Sequence, residues 1–214
     1  LNALRDAVHA ENGDMMFFIA GPEKTAATAM GQLRLEIARI KGLLDPNRRE
    51  FVWITEFPMF EYSETEGRYM AMHHPFTSPM PEHLEMMLSG NLKDCKAQAY
   101  DLVLNGVEIG GGSIRIHNPE VQEKVFRLLG LTEEQVQEKF GFFVDAFKFG
   151  APPHGGLAFG LDRIVATMEG QESIRDFIAF PKNTSASSPM DQSPSEVDLQ
   201  QVQDIHISVN LGKK

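Results

Sequence analysis

The sequence predicts an α+β chain organised around an antiparallel β-hairpin, and three observations carry that prediction. Asn105-Gly106 separates two runs of alternating character, "AQAYDLVL" at 97–104 and "VEIGGGSIRIHN" at 107–118, the strongest short signal for a hairpin. "FVWITEF" at 51–57 concentrates β-branched and aromatic residues and reads as a buried strand. Ala26, Met30, Leu33, Ile37, Ile40 and Leu44 are spaced four, three, four, three, four, which marks one face of a helix.

In chain order, "MMFFIA" at 15–20 is a short strand candidate closed by Gly21-Pro22, and the helix that follows ends at Asp45-Pro46-Asn47. The first 45 residues carry no evident chemistry and resemble the end of a small α/β unit. Pro58 stops the strand at 51–57. After an acidic loop at 61–68, "YMAM" supplies another strand and delivers the chain into His73-His74-Pro75. A helix is expected within 78–94 around "EHLEMML". Asn118-Pro119-Glu120 reads as cap, first helical position and first-turn acid of a helix ending at Gly130. Thr132 and Gln135 form a capping box for the next helix. "GAPPHGGLAFGLDR" at 150–163 is punctuated by proline and glycine and turns helical through Leu161, Ile164, Val165 and Met168. Residues 183–198 read as a surface loop, and "DIHISVNLG" at 204–212 as a closing strand.

At 214 residues, 42% hydrophobic and 23% charged, the composition is that of one globular domain, or one domain plus a piece of another. No apolar run approaches the ~20 residues that cross a bilayer, so no membrane partner is expected. The single cysteine, Cys95, leaves neither an internal disulfide nor a cysteine-cluster metal site and fits a reducing, cytoplasmic setting. A net charge of −10 argues against a generic nucleic-acid binder, which needs a basic footprint, yet leaves room for a local RNA-contacting patch. The chain begins with Leu1 and is read as a possible fragment.

The hairpin carries the first candidate site. With a two-residue turn at Asn105-Gly106, Val103 faces Glu108 and Asp101 faces Gly110, so the Asp101 and Glu108 carboxylates lie diagonally on one face. Such a pair suits Mg²⁺, which takes one or two carboxylates beside water and phosphate; it also suits two solvated acids on an open sheet. Strict alternation sends Arg115 to the opposite face. One extra residue within Gly110-Gly111-Gly112 would swing it back, where its guanidinium can grip a carboxylate or phosphate bidentately.

His73 and His74 point to opposite sides of a strand end, as a ligand contact and a packed ring, or as a solvated turn. Zinc spacing, a serine elbow and a Walker loop are all missing from the sequence, so a substrate group is expected to be the nucleophile. Gly155-Gly156 ahead of a helix would expose N–H groups to an anion, and Gly160 would leave the helix face open to a flat ligand beneath Arg163; close helix packing explains the same glycines.

Together "FVWITEFPMFEY", "AMHHPFTSP", "NGVEIGGGSIRIHNPEVQEKVF", "GAPPHGGLAFGLDRIV" and "SIRDFIAFPK" resemble, in order and spacing, the class II aminoacyl-tRNA synthetases, and among them the bacterial-type aspartyl-tRNA synthetase family. The resemblance implies that 46–214 is the C-terminal part of the class II catalytic domain, an antiparallel β-sheet flanked by helices with the third signature motif in "GLAFGLDR". Residues 1–45 would be the tail of an inserted α/β domain. It implies ATP-dependent activation of L-aspartate to aspartyl-adenylate and transfer to tRNA, with ATP as substrate and Mg²⁺ as cofactor. Glu108 then resembles the acid that binds ATP through Mg²⁺, with Asp101 its partner, and Arg115 the clamp on the substrate side-chain carboxylate. His74, and less closely His73, resembles the aspartate-contacting histidine; Gly160, Leu161, Asp162 and Arg163 match the ATP-binding stretch, Arg163 being the class arginine.

The anticodon-binding barrel, the first signature motif of the homodimer interface and the second motif with its α-phosphate arginine are not found in the sequence. The chain alone is therefore expected not to aminoacylate. An asparagine- or lysine-type synthetase, or a non-catalytic synthetase-derived fragment that binds a ligand or partner, are the alternatives; "HHPFT" paired with "GGGSIRIH" favours aspartate.

Overall fold

The computed structural model describes residues 2–208 and divides after Arg48 into two compact units. The first holds helices α1 (Asn2–Ala7) and α2 (Glu23–Ile40). α2 stops a turn before Leu44 because Gly42, at φ +64°, reverses the chain, and Leu43 N–H reaches back to Ala38 O at 2.9 Å. Residues 15–20 are not a strand: among the described residues of this unit no second strand exists to take up their backbone groups, and Met15 and Phe18 stand exposed.

The second unit is built on a four-stranded antiparallel sheet in the order β1-β4-β5-β6, with β1 Phe51–Thr55, β4 Ala99–Leu104, β5 Val107–Ile114 and β6 Gly155–Phe159. A separate ribbon pairs β2 (Phe60–Ser63) with β3 (Arg68–Ala71), so the start of the segment read as an acidic loop is a strand. Asn105 at φ +50° and Gly106 at φ +85° make the tight turn between β4 and β5. Asn105 also ties β1 to the hairpin, since Glu50 N–H donates to its Oδ1 at 2.8 Å.

β1 is the expected strand, but it is not buried. It forms the sheet edge with β4 as its one neighbour, and every residue from Phe51 to Thr55 is exposed. The helix expected around 78–94 is short, a 3₁₀ turn at Pro81–His83 running into α3 (Leu84–Leu88). α4 (Pro119–Leu128) starts as predicted, with Asn118 Oδ1 accepting from Glu120 and Val121 N–H, a cap worth about 1 kcal/mol. α5 (Glu133–Phe147) carries the full Thr132–Gln135 capping box. α6 (Leu161–Met168) follows β6 directly, with Gly160 as its N-cap. Beyond it, residues 183–194 form turns around one short bridge, Ser188 to Ser193, and a last helix, α7, spans Leu199–Asp204. Residues 205–208 are not a strand, and the rest of that expected strand lies outside the described residues.

The core gathers Met59, Met87, Cys95, Ile116, Val125 and Leu129 with Phe60 of β2 and Ala99 of β4, beside α3 and α4. Beside it, Phe76 stacks on Phe143 at 4.3 Å, Phe126 stacks on Phe140 at 5.4 Å, and Phe143 leans on Phe147 at 4.6 Å. Among the described residues, no helix is long and apolar enough to cross a membrane.

Burial pushes the Cys95 thiol up to about 11, leaving almost no thiolate at pH 8. An aromatic disulfide reagent should therefore label the native chain at least about a hundredfold more slowly than the urea-unfolded chain. Equal rates would show that the core around Met59 and Met87 is not closed.

Candidate active site

The β4–β5 pairing determines which side chains meet. Leu104 pairs with Val107 and Val103 with Glu108, but Leu102 pairs with Gly110, so Ile109 is left over as a one-residue bulge. The extra residue was expected inside the glycine run; it sits one position earlier, and Gly110, Gly111 and Gly112 pair regularly. Asp101 thus faces Gly111 rather than Gly110. Ile109 takes the bulge because its side chain is buried in place and its carbonyl accepts the Gly160 N–H at 2.8 Å. By alternation, Gly111, Ser113 and Arg115 then share the face of Asp101 and Glu108.

The glycines serve space rather than turning. A Cβ on Gly111 would overlap the Asp101 carboxylate, one on Gly112 would overlap the carbonyl of Gly156, and one on Gly110 would come within 2.7 Å of the Phe159 ring. Gly156 O also accepts the Tyr100 hydroxyl at 3.0 Å, which holds that carbonyl against the Gly112 backbone.

Arg115 continues β5 by bridging Thr77, and its backbone N–H donates to His154 O at 2.9 Å. Beneath it the buried Thr77 and Ser113 hydroxyls meet at 3.3 Å. The Arg115 Nη1 is buried and has no hydrogen-bond partner among the described residues. His74 packs on Phe76 at 4.7 Å, and its Nδ1 accepts the Phe76 N–H at 3.2 Å. Partial burial, and then the positive charge of Arg115, hold the His74 pKa below its ordinary value. The ring is neutral near pH 7 with its proton on Nε2, so it presents a second donor beside the guanidinium.

The other end of the face is acidic. Asp101 is held above the usual carboxylate range, by burial first and by Glu108 second, while His73 pulls the other way. His73 itself stands edge-on to Phe57 at 4.8 Å. The two histidines therefore divide the cleft, His74 towards Arg115 and His73 towards Asp101. Arg163 Nη1 lies 3.5 Å from Glu108 Oε2 and donates to Glu108 O at 3.1 Å. Both partners are about half exposed, so the ion pair itself contributes at most about 1 kcal/mol.

Gly155 and Gly156 do not form the expected anion cradle. They open β6 opposite Ile114 and Ser113, so they lie along the sheet edge and not in a loop at the helix start. The unpaired N–H groups belong to the first turn of α6, at Leu161, Asp162 and Arg163, while Ile164 N–H is the first to bond back, to Gly160 O at 3.0 Å. The stem of Arg163 crosses Gly160, whose missing side chain would lie 3.4 Å from Arg163 Cδ. The sequence reading missed Phe76, which fixes the His74 tautomer, and the Thr77–Ser113 floor. Phe76 stands two residues after His74 in "HHPFT", and the turn closed by Thr77 N–H on His74 O at 3.0 Å brings the two rings together.

The antiparallel sheet thus bears a guanidinium and an imidazole at one end of a face and two carboxylates at the other. Residues 15–184 match the family described as tRNA synthetases class II (D, K and N), and the chain belongs to that family. It is 53% identical to the aspartate–tRNA ligase of Ruminiclostridium cellulolyticum over 98% of this chain and 35% of that one. It is 50% identical to the aspartate–tRNA(Asp/Asn) ligase of Heliobacterium modesticaldum over 100% of this chain and 35% of that one. The chain thus spans about a third of the length of the curated relatives it matches. An Entamoeba histolytica aspartyl-tRNA synthetase structure shares the fold with a TM-score of 0.51 at 22% identity, over 88% of this chain and 31% of that one. The asparaginyl-adenylate complex of asparaginyl-tRNA synthetase from the same organism gives a TM-score of 0.51 at 22% identity, over 87% of this chain and 34% of that one.

The steric account separates two glycines on adjacent rungs of the β5–β6 ladder, Gly112 opposite Leu157 and Gly156 opposite Ser113. Gly112→Ala should lower stability by about 1–3 kcal/mol because its methyl meets backbone, whereas Gly156→Ala, with open space at that position, should stay within about 0.5 kcal/mol of the parent. Thermal unfolding of the two variants decides it; equal losses would remove the argument.

Proposed function

We propose that this chain supplies part of the aspartate and ATP site of an aspartate–tRNA ligase. The observation that carries the reading is the buried, unpartnered Nη1 of Arg115 beside a neutral His74, across one face from Asp101 and Glu108. Arg115 and His74 Nε2–H are both donors, and an acceptor-only carboxylate satisfies them together. An asparagine side chain would turn its NH₂ towards a donor, a mismatch worth at least ~10²-fold in discrimination.

The aspartate α-carboxylate attacks the α-phosphorus of ATP, a carboxyl oxygen–phosphorus bond forms, and the bond to the bridging oxygen breaks as pyrophosphate leaves. A tRNA hydroxyl then attacks the acyl carbon and AMP departs. No protein nucleophile is needed, in keeping with a site made of charges and donors. Asp101 and Glu108 fit Mg²⁺: they are an oxygen-only donor pair whose mutual repulsion contributes to the raised Asp101 pKa. The ion would neutralise charge on the phosphates when bound. Arg163, the first-turn N–H groups of α6 and the open surface of Gly160 serve the remaining nucleotide, with Leu161 and Asp162 at its edge. In this reading tRNA recognition and homodimerisation belong to the full-length enzyme, in the cytoplasm. The chain alone does not activate aspartate, a view supported by the bare edges of its sheet, where Phe51, Trp53 and Phe159 are all exposed.

The test replaces the matching third of the Ruminiclostridium cellulolyticum ligase with this chain and measures aspartate-dependent exchange between ATP and pyrophosphate. The chimera should be active and Arg115→Ala within it should lose about 10²–10³-fold. Near-normal exchange by that variant would overturn the reading. In the same assay Glu108→Gln should raise the Mg²⁺ concentration needed for half-maximal rate severalfold; an unchanged requirement would remove Glu108 from the metal. The 214-residue chain assayed by itself should show no exchange.

A further inference from the structure

A groove of about 250 Å³ lies between strand β3, the turn that joins α4 to α5, and α5 itself. Arg68, His73 and Lys139 stand on it, Met70, Leu131 and Phe140 give it apolar wall, and among the described residues none that lines it is acidic. In a chain with 30 acids against 20 lysines and arginines, a groove edged only by basic groups inverts the average charge of the surface. It is a local basic patch of the kind that a net charge of −10 still permits.

Its cations are available to a ligand. Lys139 is exposed on α5 and makes no ion pair among the described residues. Arg68 is steadied by the backbone, its Nη1 donating to Leu129 O at 2.8 Å, which leaves most of its five N–H donors over. Its one acid, Glu66, lies 3.7 Å from Nη2 with both side chains exposed, a pair worth at most about 1 kcal/mol that a phosphate displaces at little cost. The groove also meets the candidate active site: His73 lines it and acts on Asp101 against the repulsion of Glu108.

Cations beside apolar wall suit single-stranded nucleic acid, whose phosphates take the charges while its bases lie against the apolar side chains. A free inorganic anion would leave that wall unused. We infer that this groove holds the single-stranded end of the tRNA, with backbone phosphates on Arg68 and Lys139 and a base against Met70, Leu131 and Phe140. The inference rests on the proposed ligase reading, in which a tRNA hydroxyl must reach the cleft that the groove meets at His73.

The Ruminiclostridium cellulolyticum ligase carrying this chain in place of its matching third tests it, with tRNA as the probe. Filter binding of tRNA is followed between about 50 and 200 mM salt, with charging and exchange between ATP and pyrophosphate measured in parallel. Each cation withdrawn from a single-strand phosphate should flatten the slope of log Kd against log salt by about 0.7, so Lys139→Gln should lower it by about 0.7 and Lys139→Gln with Arg68→Gln by about 1.4. The double variant should raise the KM for tRNA about three- to tenfold, while exchange, which uses no tRNA, stays within about twofold of the parent chimera. Lys93→Gln, at an exposed lysine outside the groove, should leave slope and KM unchanged. The inference is overturned if Lys139→Gln leaves the slope as it was, if Lys93→Gln changes it as much, or if exchange falls together with charging. It is also overturned if polyglutamate displaces tRNA from the parent chimera but not from the double variant, which would make the groove a site for acidic polypeptide. A chimera without any exchange would count against the aspartate and ATP reading instead, and the salt slopes, which need no activity, would still decide the groove. Lys139→Gln removes no internal contact of Lys139, so the slope can be read even where Arg68→Gln fails to fold.

Discussion

The single unpaired residue at Ile109 sets the geometry on which the rest of the cleft depends. A β-strand alternates its side chains with a period of two, so one inserted residue exchanges the faces of everything after it. Without the bulge, Gly111, Ser113 and Arg115 would face away from Asp101, and the acidic and basic halves of the cleft would lie on opposite sides of the sheet. The bulge is held from β6 and α6: Gly160 N–H bonds to Ile109 O at 2.8 Å, and Arg163 Nη1 bonds to Glu108 O at 3.1 Å. The segment "GLAFGLDR" therefore braces the register of the neighbouring strand besides offering its own N–H groups.

That geometry sorts charge within a chain whose net charge is −10. Arg115 and His74 make a donor end, and Asp101 and Glu108 make an acceptor end, with His73 and Arg163 moderating the acids. The two arginines are not equivalent. Arg163 is half exposed and already shares Glu108, so exchanging that partner for a phosphate costs little. Arg115 presents a buried nitrogen with no internal partner, and such a group rewards one ligand geometry and penalises others.

What was legible in the sequence follows the range of the forces involved. The turn at Asn105-Gly106, the Asn118 cap, the Thr132–Gln135 box and the start of α6 are decided by contacts within a few residues, and each was readable. The need for a bulge near the glycines was also readable, because the family resemblance implies Arg115 in the cleft of Asp101 and Glu108 and strict alternation does not put it there. Its position at Ile109 was not, since it depends on a bond from Gly160, 51 positions further along the chain. The exposure of β1 and the coil at 15–20 were likewise hidden: apolar residues announce a wish to be covered, not the presence of a cover. Gly155-Gly156 misled for a related reason, since a glycine pair before a helix looks the same whether it cradles an anion or runs as a strand beside Ser113 and Ile114.

The two ends of the cleft also differ in how firmly they are built. The donor end rests on the interior: Thr77 and Ser113 are buried under Arg115, Phe76 stacks on Phe143 at 4.3 Å, and Gln122 fastens Pro75 from α4. The acceptor end stands on the open part of the sheet, beside the exposed strands β1 and β6. Telling a carboxylate from an amide requires donors that do not relax towards the wrong partner, which is what a packed floor provides. Under the proposed function, holding a metal and a triphosphate would be less demanding, because an exposed carboxylate or arginine can follow an ion that brings its own charge and water. The buried packing of the structure is concentrated at the end that, under the proposed function, would have to select the carboxylate.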